Sequence, residues 1–457
     1  MNLEKEKQMT VRQKKVGLIT LSLSRERTDL AEAFGKNAFQ ALESAGMEVC
    51  GSKELVFETE QCIAAARKLK EKNVDCVLLL LGTWVFAPTV VDTLRAVDVP
   101  FGIWAEDNPG SFSLTAGGVV HGSLDELGLK HRFFYGSPRS ARLMAEISAF
   151  IGATACARDL DGSRLAVVGG RVMGMYTTMA DIIQVKSIFG VETEHIDSVR
   201  VYMTAESLAG NEVAKIKNKL LESFGGINTK EPVLEKSIRL YIALKAVLEK
   251  EKYGIAAIKC QEEMINSYAC FCLANSLLNN EGFTVSCEAD INAALMMKIL
   301  STISGGIALF GDVNHLDLER GELRIVNCGS MPTLMADGEK KVNLENQYEY
   351  MGEAGGATTV FSIRSSPVTI ARLFRLSGRY AMVAAEGKTE EFPRERFKEA
   401  REYWPHALVK LDCDSHDLVQ NIRSNHMHLC FGKHLEALKE FCSLKGLEFI
   451  ALKGGAR

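Results

Sequence analysis

The chain has 457 residues, a net charge of −4 and a hydrophobic fraction of 47%, the values of an ordinary globular protein. This composition excludes a disordered chain, a fibre and a collagen, and the length suggests about three domains. The slightly acidic balance argues against a nucleic-acid partner, which usually requires a basic patch or stripe. The apolar runs fall well short of the roughly 20 residues that span a bilayer, so we expect no membrane-spanning helix.

The first residues, MNLEKEKQMTVRQKK, are charged and polar and lack the apolar core of a secretory signal. The 12 cysteines contain no CxxC pair, which favours reduced, buried thiols over a disulfide framework. We therefore expect a cytoplasmic protein.

Predicted strands and helices alternate through the first part of the chain. The run at 75–81, DCVLLLL, predicts a buried strand, and the apolar spacing at 29–45 predicts a helix. This alternation is typical of a parallel sheet covered by helices on both faces. The glycines between residues 117 and 122 are predicted to lead into a helix that begins at Ser123.

A second α/β series begins near residue 161, and after about residue 335 short runs favour antiparallel strands. We predict an α/β fold of two doubly wound parallel-sheet domains, 1–160 and 161–335, followed by a β-rich C-terminal domain, 336–457. The glycine turn after the strand at 165–168 reads GGxxxG. Because this spacing differs from the GxGxxG dinucleotide fingerprint, a nicotinamide dehydrogenase is not supported.

Two acidic residues are candidates for chemistry in the second series. Glu288 stands where a predicted strand gives way to a helix, and Asp312 follows 24 residues later, just past a strand predicted at 307–310. This spacing predicts both carboxylates at the same edge of one sheet, where oxygen ligands suit a hard cation such as Mg²⁺ or Mn²⁺. A helix-start acid and a turn aspartate remain the structural alternative.

Histidines concentrate in SNHMHLCFGKHL, which holds three of the nine in the chain: His426, His428 and His434. An HxH pair on a strand projects both imidazoles to one face, and histidine is the commonest metal ligand. The alternative is a histidine-containing loop before a helix.

With Glu288, Asp312 and His426 in this order, the sequence resembles the L-fucose isomerase-like proteins, a group that includes the arabinose isomerases. The segment SCEADINAALMMKILSTISGGIALFGDV resembles the family's Glu-to-Asp segment, and SNHMHLCFGKHLEAL resembles its closing Asn-His segment. The stretch from GEAGGATTV to AAEGK resembles its β-rich third domain. The resemblance implies that Glu288, Asp312 and His426 bind Mn²⁺, with Mg²⁺ and Co²⁺ as other candidate ions.

Four further positions are implied to contact the substrate. Gln261 in IKCQEE resembles a family glutamine that touches the sugar, and Arg25 is preferred over Arg27 as the match to a family arginine. His121 and Trp404 complete the predicted substrate-binding set. Many relatives carry His-Cys-Gly where this chain has Asn327-Cys328-Gly329. The chain therefore matches only the Glu–Asp–His ligand set of the fucose-isomerase type.

The implied function is aldose–ketose isomerisation of an open-chain sugar, with Glu288 and Asp312 as the acid–base pair. Proton transfer between C2 and C1 and a 1,2-hydride shift both remain open. The rival interpretation is a non-catalytic sugar-binding protein on the same scaffold, using aromatic residues such as Trp404.

Assembly follows from the same resemblance, since the relatives are closed homo-oligomers, mostly hexamers or trimers. Three N-terminal loops are expected to complete a neighbour's site: Ser24–Arg27, Gly82–Trp84 and Gly117–Gly122. The alternative is that these loops line a solvent-filled cleft within one chain.

Overall fold

The computed structural model describes residues 12–347 and 355–454, which form two compact units. One unit comprises residues 12–158 with 436–444, and the other comprises the described residues of 159–435 with 445–454. The domain boundaries that we predict from the sequence stay predictions.

The N-terminal unit is built on a five-stranded parallel sheet in the order β2-β1-β3-β4-β5. Its central strand, CVLLLL, is buried at every position because helices cover both faces of the sheet. This confirms the predicted alternation of parallel strands and helices. The elements are β1 (Lys15–Leu21), α1 (Thr28–Ser44), β2 (Glu48–Val56), α2 (Thr59–Glu71), β3 (Cys76–Leu81), α3 (Ala87–Val97), β4 (Phe101–Ala105), α4 (Ser113–Glu126), β5 (Arg132–Tyr135) and α5 (Ala141–Leu160).

The predicted helix start at Ser123 is wrong, because α4 already begins at Ser113 and contains the glycines. Gly117 is required by packing, because a Cβ atom there would lie 2.8 Å from the ring of Phe133, whereas a Cβ atom at Gly118 or Gly122 would meet no atom within 4 Å. The segment from Gly117 to Gly122 is therefore helix and not a loop, and His121 lies on α4.

The second unit contains a four-stranded parallel sheet in the order β10-β9-β6-β7. Its helix α12 is apolar around most of its circumference because it packs against this sheet on one side and antiparallel strands on the other. The elements are β6 (Arg164–Val168), α6 (Ile182–Phe189), β7 (Glu192–Ile196), α7 (Ser198–Glu206), α8 (Gly210–Ser223), β8 (Gly226–Ile227), α9 (Glu231–Glu251), β9 (Ile255–Ile258), α10 (Glu263–Ser267), α11 (Cys272–Asn280), β10 (Thr284–Cys287) and α12 (Ile291–Ser304).

The remaining strands form a mainly antiparallel sheet in the order β15-β18-β11-β12-β17-β16-β19. A further pairing between β15 and β16 closes six of these strands into a barrel, and β19 adds in parallel to β16. A small sheet, β14-β13-β8, accompanies the barrel. The elements are β11 (Ala308–Asp317), β12 (Glu322–Val326), β13 (Asn343–Asn346), β14 (Ala357–Val360), β15 (Ser366–Leu376), β16 (Arg379–Glu390), β17 (His406–Leu411), α13 (Ser415–Asn421), β18 (His426–Phe431), α14 (Leu435–Lys445) and β19 (Glu448–Leu452).

The strand predicted to end before Gly311 continues through Asp312 to Asp317. Gly311 is required by close packing across the sheet, since a Cβ atom there would lie 2.2 Å from Cγ2 of Ile325. The prediction that Glu288 and Asp312 share the edge of one sheet is therefore wrong. Glu288 follows a strand of the parallel sheet, whereas Asp312 lies within a strand of the barrel.

The HxH segment forms β18, and both His426 and His428 are fully buried, which confirms the strand hypothesis over the loop. All 12 cysteines are free thiols, and all except Cys413 are buried. Among the described residues no helix is both long and apolar enough to cross a membrane.

Candidate metal and sugar site

The turn that carries Glu288 is conformationally unusual. Glu288 and Ala289 have φ values of 59° and 49°, so two consecutive residues with side chains adopt the left-handed region. Such conformations cost about 1–3 kcal/mol each and cluster at functional sites. The next residue, Asp290, caps α12 by accepting a 2.8 Å hydrogen bond from the amide of Ala293. The turn thus fixes Glu288 at the start of the central helix.

Strand pairing brings the other two predicted ligands together. His426 on β18 lies directly opposite Asp312 on β11. Its Nε2 atom is 2.9 Å from Oε2 of Glu288 and 3.6 Å from Oδ1 of Asp312. One ligand atom from each of the three residues lies within 4.8 Å of the other two. The three residues singled out by the sequence therefore converge.

His426 is held by a buried ionic network behind it. Its Nδ1 atom is 2.7 Å from Oδ2 of Asp290, and the same oxygen accepts a 2.7 Å hydrogen bond from Nη1 of Arg372. Arg372 also contacts Nε2 of His428 at 3.1 Å and donates to the carbonyl of Thr177 at 3.0 Å. With Nδ1 engaged by Asp290, Nε2 of His426 is turned toward the carboxylates of Glu288 and Asp312.

Electrostatics in this network follow from burial and pairing. Burial opposes ionisation of Asp290, but Arg372 and His426 outweigh it and hold the pKa of that carboxyl well below its usual range. Burial also acts to lower the pKa of His426, yet the hydrogen bonds to Asp290 and Glu288 prevail and raise its pKa to about 9. The imidazole therefore sits in a strongly negative environment.

The pKa of Asp312 is shifted upward, in the opposite direction to that of Asp290. Removal from water raises the pKa of Asp312; the positive charge of His426 acts against this shift, and the negative charge of Glu288 adds to it. Asn425 donates a 3.0 Å hydrogen bond to Oδ1 of Asp312, which also acts to lower the pKa. Carboxylates this close repel one another unless a cation lies between them. Two carboxylates and an imidazole form a donor set that suits Mn²⁺ and related divalent ions, so the residues present fit such a cation.

A cavity of about 360 Å³ opens beside this cluster. Glu288, Asp312 and two of the predicted substrate residues, Gln261 and Trp404, line it. The indole N–H of Trp404 donates to Oε1 of Gln347 at 3.0 Å, which fixes the ring in place. Further lining residues are Met173, Met175, Cys328, Arg401 and Asn425.

Arg25 and His121, the other two predicted substrate residues, belong to the N-terminal unit. Arg25 is exposed in the loop after β1. On α4, Nδ1 of His121 lies 2.7 Å from Nε2 of His131, and its Nε2 lies 3.6 Å from Oδ2 of Asp125.

Asn327, the departure from the family's His-Cys-Gly, has a structural role. Its side chain is fully buried, and Oδ1 accepts hydrogen bonds from the amides of Gly329 and Ser330 at 3.0 and 2.6 Å. The side chain thus closes the turn after β12, and the neighbouring Cys328 lines the cavity instead.

Asp290 and Arg372 are the site residues that sequence reasoning missed. Asp290 has the signature of a helix N-cap, an aspartate directly before an apolar helical run. Because this role explains the residue by itself, the sequence does not indicate that Asp290 also contacts His426 and Arg372. Arg372 lies within the apolar strand VTIARLFRL, and a charge at a buried strand position requires a partner. This need for a partner is the sequence signal that could have identified Arg372 as part of a buried polar network.

Comparison with known proteins is consistent with this site. Residues 325–453 match the family model described as L-fucose isomerase, C-terminal domain. The chain is 21% identical over 367 residues to a sulfoquinovose isomerase from Priestia aryabhattai, covering 79% of this chain and 82% of that protein. It is 22% identical over 288 residues to a sulfoquinovose isomerase from Alkalicoccus urumqiensis, covering 62% of this chain and 63% of that protein.

A periplasmic solute-binding protein from Actinobacillus succinogenes with bound D-allose is 11% identical and covers 64% of this chain and 93% of its own. The TM-score of this match is 0.18. The family model and the isomerase relatives agree with the resemblance to the L-fucose isomerase-like proteins that the sequence motifs carry. These matches support an L-fucose isomerase-like sugar isomerase, an enzyme of the aldose–ketose isomerase class.

Proposed function

We propose that the chain is a Mn²⁺-dependent aldose–ketose isomerase that acts on an open-chain sugar. The observation that carries this proposal is the convergence of Glu288, Asp312 and His426 within 4.8 Å, beside a cavity that Gln261 and Trp404 also line. Two carboxylates that lie next to a buried imidazole, at the edge of a cavity, suit cation-assisted chemistry better than simple sugar binding, which needs no such charge cluster. The non-catalytic sugar-binding alternative is therefore not favoured.

In this proposal Glu288, Asp312 and Nε2 of His426 hold the cation, with Mg²⁺ and Co²⁺ as the other candidates. When bound, the cation supplies Lewis-acid polarisation of the sugar carbonyl and of the adjacent hydroxyl. Asp290 keeps the imidazole in the orientation and tautomer that ligation requires, because its Oδ2 occupies Nδ1 at 2.7 Å.

Glu288 and Asp312 also serve as the acid–base pair. One carboxylate removes the proton from C2 of the aldose, and a proton is returned to C1 as the hydroxyl proton moves from O2 to O1. No atom is gained or lost, so the product is the ketose isomer. A 1,2-hydride shift at the same site gives the same product, and only the proton route allows solvent hydrogen to enter C1.

Gln261 and Trp404 are proposed to contact the sugar from within the cavity, and Arg25 and His121 from a neighbouring copy in a homo-oligomer. The curated relatives are named for sulfoquinovose, so this sulfonated sugar is the first substrate to test. The exposed side chains of Met173 and Tyr176 in the loop after β6 support a covering partner, since Met173 also lines the cavity.

The test is a sugar panel with metal-stripped and Mn²⁺-loaded protein, scored for ketose formation. Chelation should abolish activity, Mn²⁺ should restore it better than Zn²⁺, and Glu288→Gln should lower the rate by about 100-fold or more. Glu263→Gln is the matched control, because Glu263 pairs with Lys259 at 2.8 Å on the exposed face of α10. Full activity without metal, or equal activity of the two variants, would contradict the proposal.

A further inference from the structure

A second cavity, of about 600 Å³, adjoins the catalytic one. Asn314 and Arg401 line both cavities, so the two lie side by side. Within the second cavity the lining includes Arg324, Arg396 and Glu399. The function assigned above uses none of these three side chains.

The barrel strands set the distance between the two cavities. Val326 on β12 lies opposite Asp312, and Arg324 lies two residues away on the same face of the strand. Two residues of strand span about 7 Å. A bulge between Val313 and His315 re-registers β11, so that His315 faces Arg324. This separation matches the length of an open-chain six-carbon sugar with its carbonyl end near Asp312.

Positive charge is in excess in this second cavity. Three guanidinium groups line it with a single carboxylate, Glu399, which accepts hydrogen bonds from Nε of Arg396 at 2.8 Å and from Nη2 of Arg324 at 3.1 Å. Glu399 therefore shares its single negative charge between Arg324 and Arg396. The surplus favours an anion over a neutral group.

The arginines are also held in place before any ligand arrives. The guanidinium carbons of Arg324 and Arg396 lie 4.4 and 4.8 Å from the centre of the Phe392 ring, and that of Arg401 lies 5.1 Å from Trp404. Arg324 is 9% exposed, and its Nε–H group is buried without a hydrogen-bond partner. A buried donor without a partner is costly unless a ligand supplies the acceptor.

We propose that this arginine-lined cavity is a subsite for an anionic group, a sulfonate or a phosphate, carried by the sugar at the end remote from its carbonyl. The proposal rests on the isomerase function proposed above and adds the residues that select the substrate class. Planar guanidinium groups bind tetrahedral oxyanions through paired, charge-assisted hydrogen bonds. Arg324 and Arg396 are the specificity-determining residues, with Arg401 at the junction of the two cavities.

The test compares three sugars that share a carbon skeleton: sulfoquinovose, glucose 6-phosphate and glucose. The kcat/KM ratio of each anionic sugar to glucose is measured with Mn²⁺-loaded wild type, Arg396→Gln and Arg324→Gln. We expect the wild type to prefer an anionic sugar, with either variant lowering the preference about 10-fold or more, the usual worth of a charge-assisted hydrogen bond. The sulfonate and phosphate arms identify which anion the subsite takes.

Arg394→Gln is the matched control. Arg394 begins the same 3-10 turn, Arg394–Glu399, but stacks on Phe397 and does not line the cavity, so the ratio should stay unchanged. Arg396 is exposed, which makes its replacement safe for folding should Arg324→Gln prove unstable.

A calorimetric titration of sulfoquinovose and glucose 6-phosphate into the same proteins separates the two proposals. Binding of either sugar that depends on Arg396, without any isomerisation, would support the subsite and contradict the isomerase. Isomerisation with an unchanged ratio in both arginine variants, or a wild-type preference for glucose, would overturn the subsite. Absence of binding and of turnover with both anionic sugars would overturn it as well.

Discussion

At the scale of single residues, the site depends on an aspartate with two tasks. Asp290 caps α12 through Oδ1 and, through Oδ2, holds both His426 and Arg372. A metal-ligating histidine whose second nitrogen faces a carboxylate has a fixed ring and a more basic ligand atom. Asp290 thus positions His426 of the proposed metal site and also caps the helix.

Asp290→Asn separates these tasks, because asparagine caps helices about as well as aspartate but carries no charge. We expect Mn²⁺ affinity to fall by about 10- to 100-fold, as for other outer-shell partners of ligating histidines. Isothermal titration with Mn²⁺ measures the change. Asp414→Asn is the control, since Asp414 caps α13 in the same way. Equal metal affinity of the two folded variants would show that Asp290 is only a cap.

His406 gives a residue-scale prediction about pH. It is fully buried, its Nε2–H donates to the carbonyl of Arg401 at 2.8 Å, and its ring contacts Phe397. Burial lowers the pKa of His406 to about 4, against about 6.5 in an unfolded chain. Between these values the unfolded state binds the proton and the folded state does not. Stability is therefore fully present above pH ~6.5 and falls as the pH drops toward 4, by a total of about 3 kcal/mol.

His406→Gln removes this titration while keeping a side-chain N–H donor. Urea unfolding followed from pH 7 to pH 4.5 should show a shallower loss of stability in the variant than in the wild type. Replacement of the exposed His416 by glutamine provides the comparison. If His406→Gln and the wild type lose stability in parallel, the buried histidine does not contribute to the pH dependence.

At the scale of elements, local sequence patterns predicted most strands and helices but misread several glycines. A glycine can mark a turn or a place where another residue packs closely against the backbone, and both uses look the same in one sequence. Gly311 and Gly117 are of the second kind, because a Cβ atom at either would collide with a side chain on a nearby strand, Ile325 on β12 or Phe133 on β5, respectively. Only the tertiary partner distinguishes the two cases.

The same limit applies to the candidate site. Residue types and spacing predicted Glu288, Asp312 and His426, because carboxylates and imidazoles in that order carry the resemblance to a metal-dependent family. The route by which they meet could not be predicted, since β11 leaves the parallel pattern and pairs with β18 across more than 100 residues of sequence. Arg372 on β15 likewise reaches Asp290 across 82 residues of sequence, through a hydrogen bond between their side chains.

At the scale of the whole molecule, assembly is the main prediction that remains. All three candidate ligands come from residues beyond 287, and the exposed side chains of Met173 and Tyr176 lie in the loop that reaches the cavity. Exposed apolar side chains beside a polar site favour an interaction surface. Closed symmetric oligomers place the same surface of each copy against a neighbour. A loop of one copy, with Arg25 at its tip, is therefore expected to complete the site of another.

Mixing inactive subunits tests this sharing. Arg25→Ala removes the side chain that the loop is proposed to contribute, and Glu288→Gln removes one of the proposed metal ligands. Each variant on its own should therefore be nearly inactive. If sites draw their two halves from different chains, random exchange in equal amounts leaves about a quarter of the sites with both halves intact, and activity returns. Glu288→Gln mixed with Asp312→Asn is the control, because these residues share one cluster within one chain and no combination restores it. Subunit exchange is followed independently by native mass spectrometry. Mixtures of Arg25→Ala and Glu288→Gln that exchange yet stay as inactive as the control would mean that each chain completes its own site.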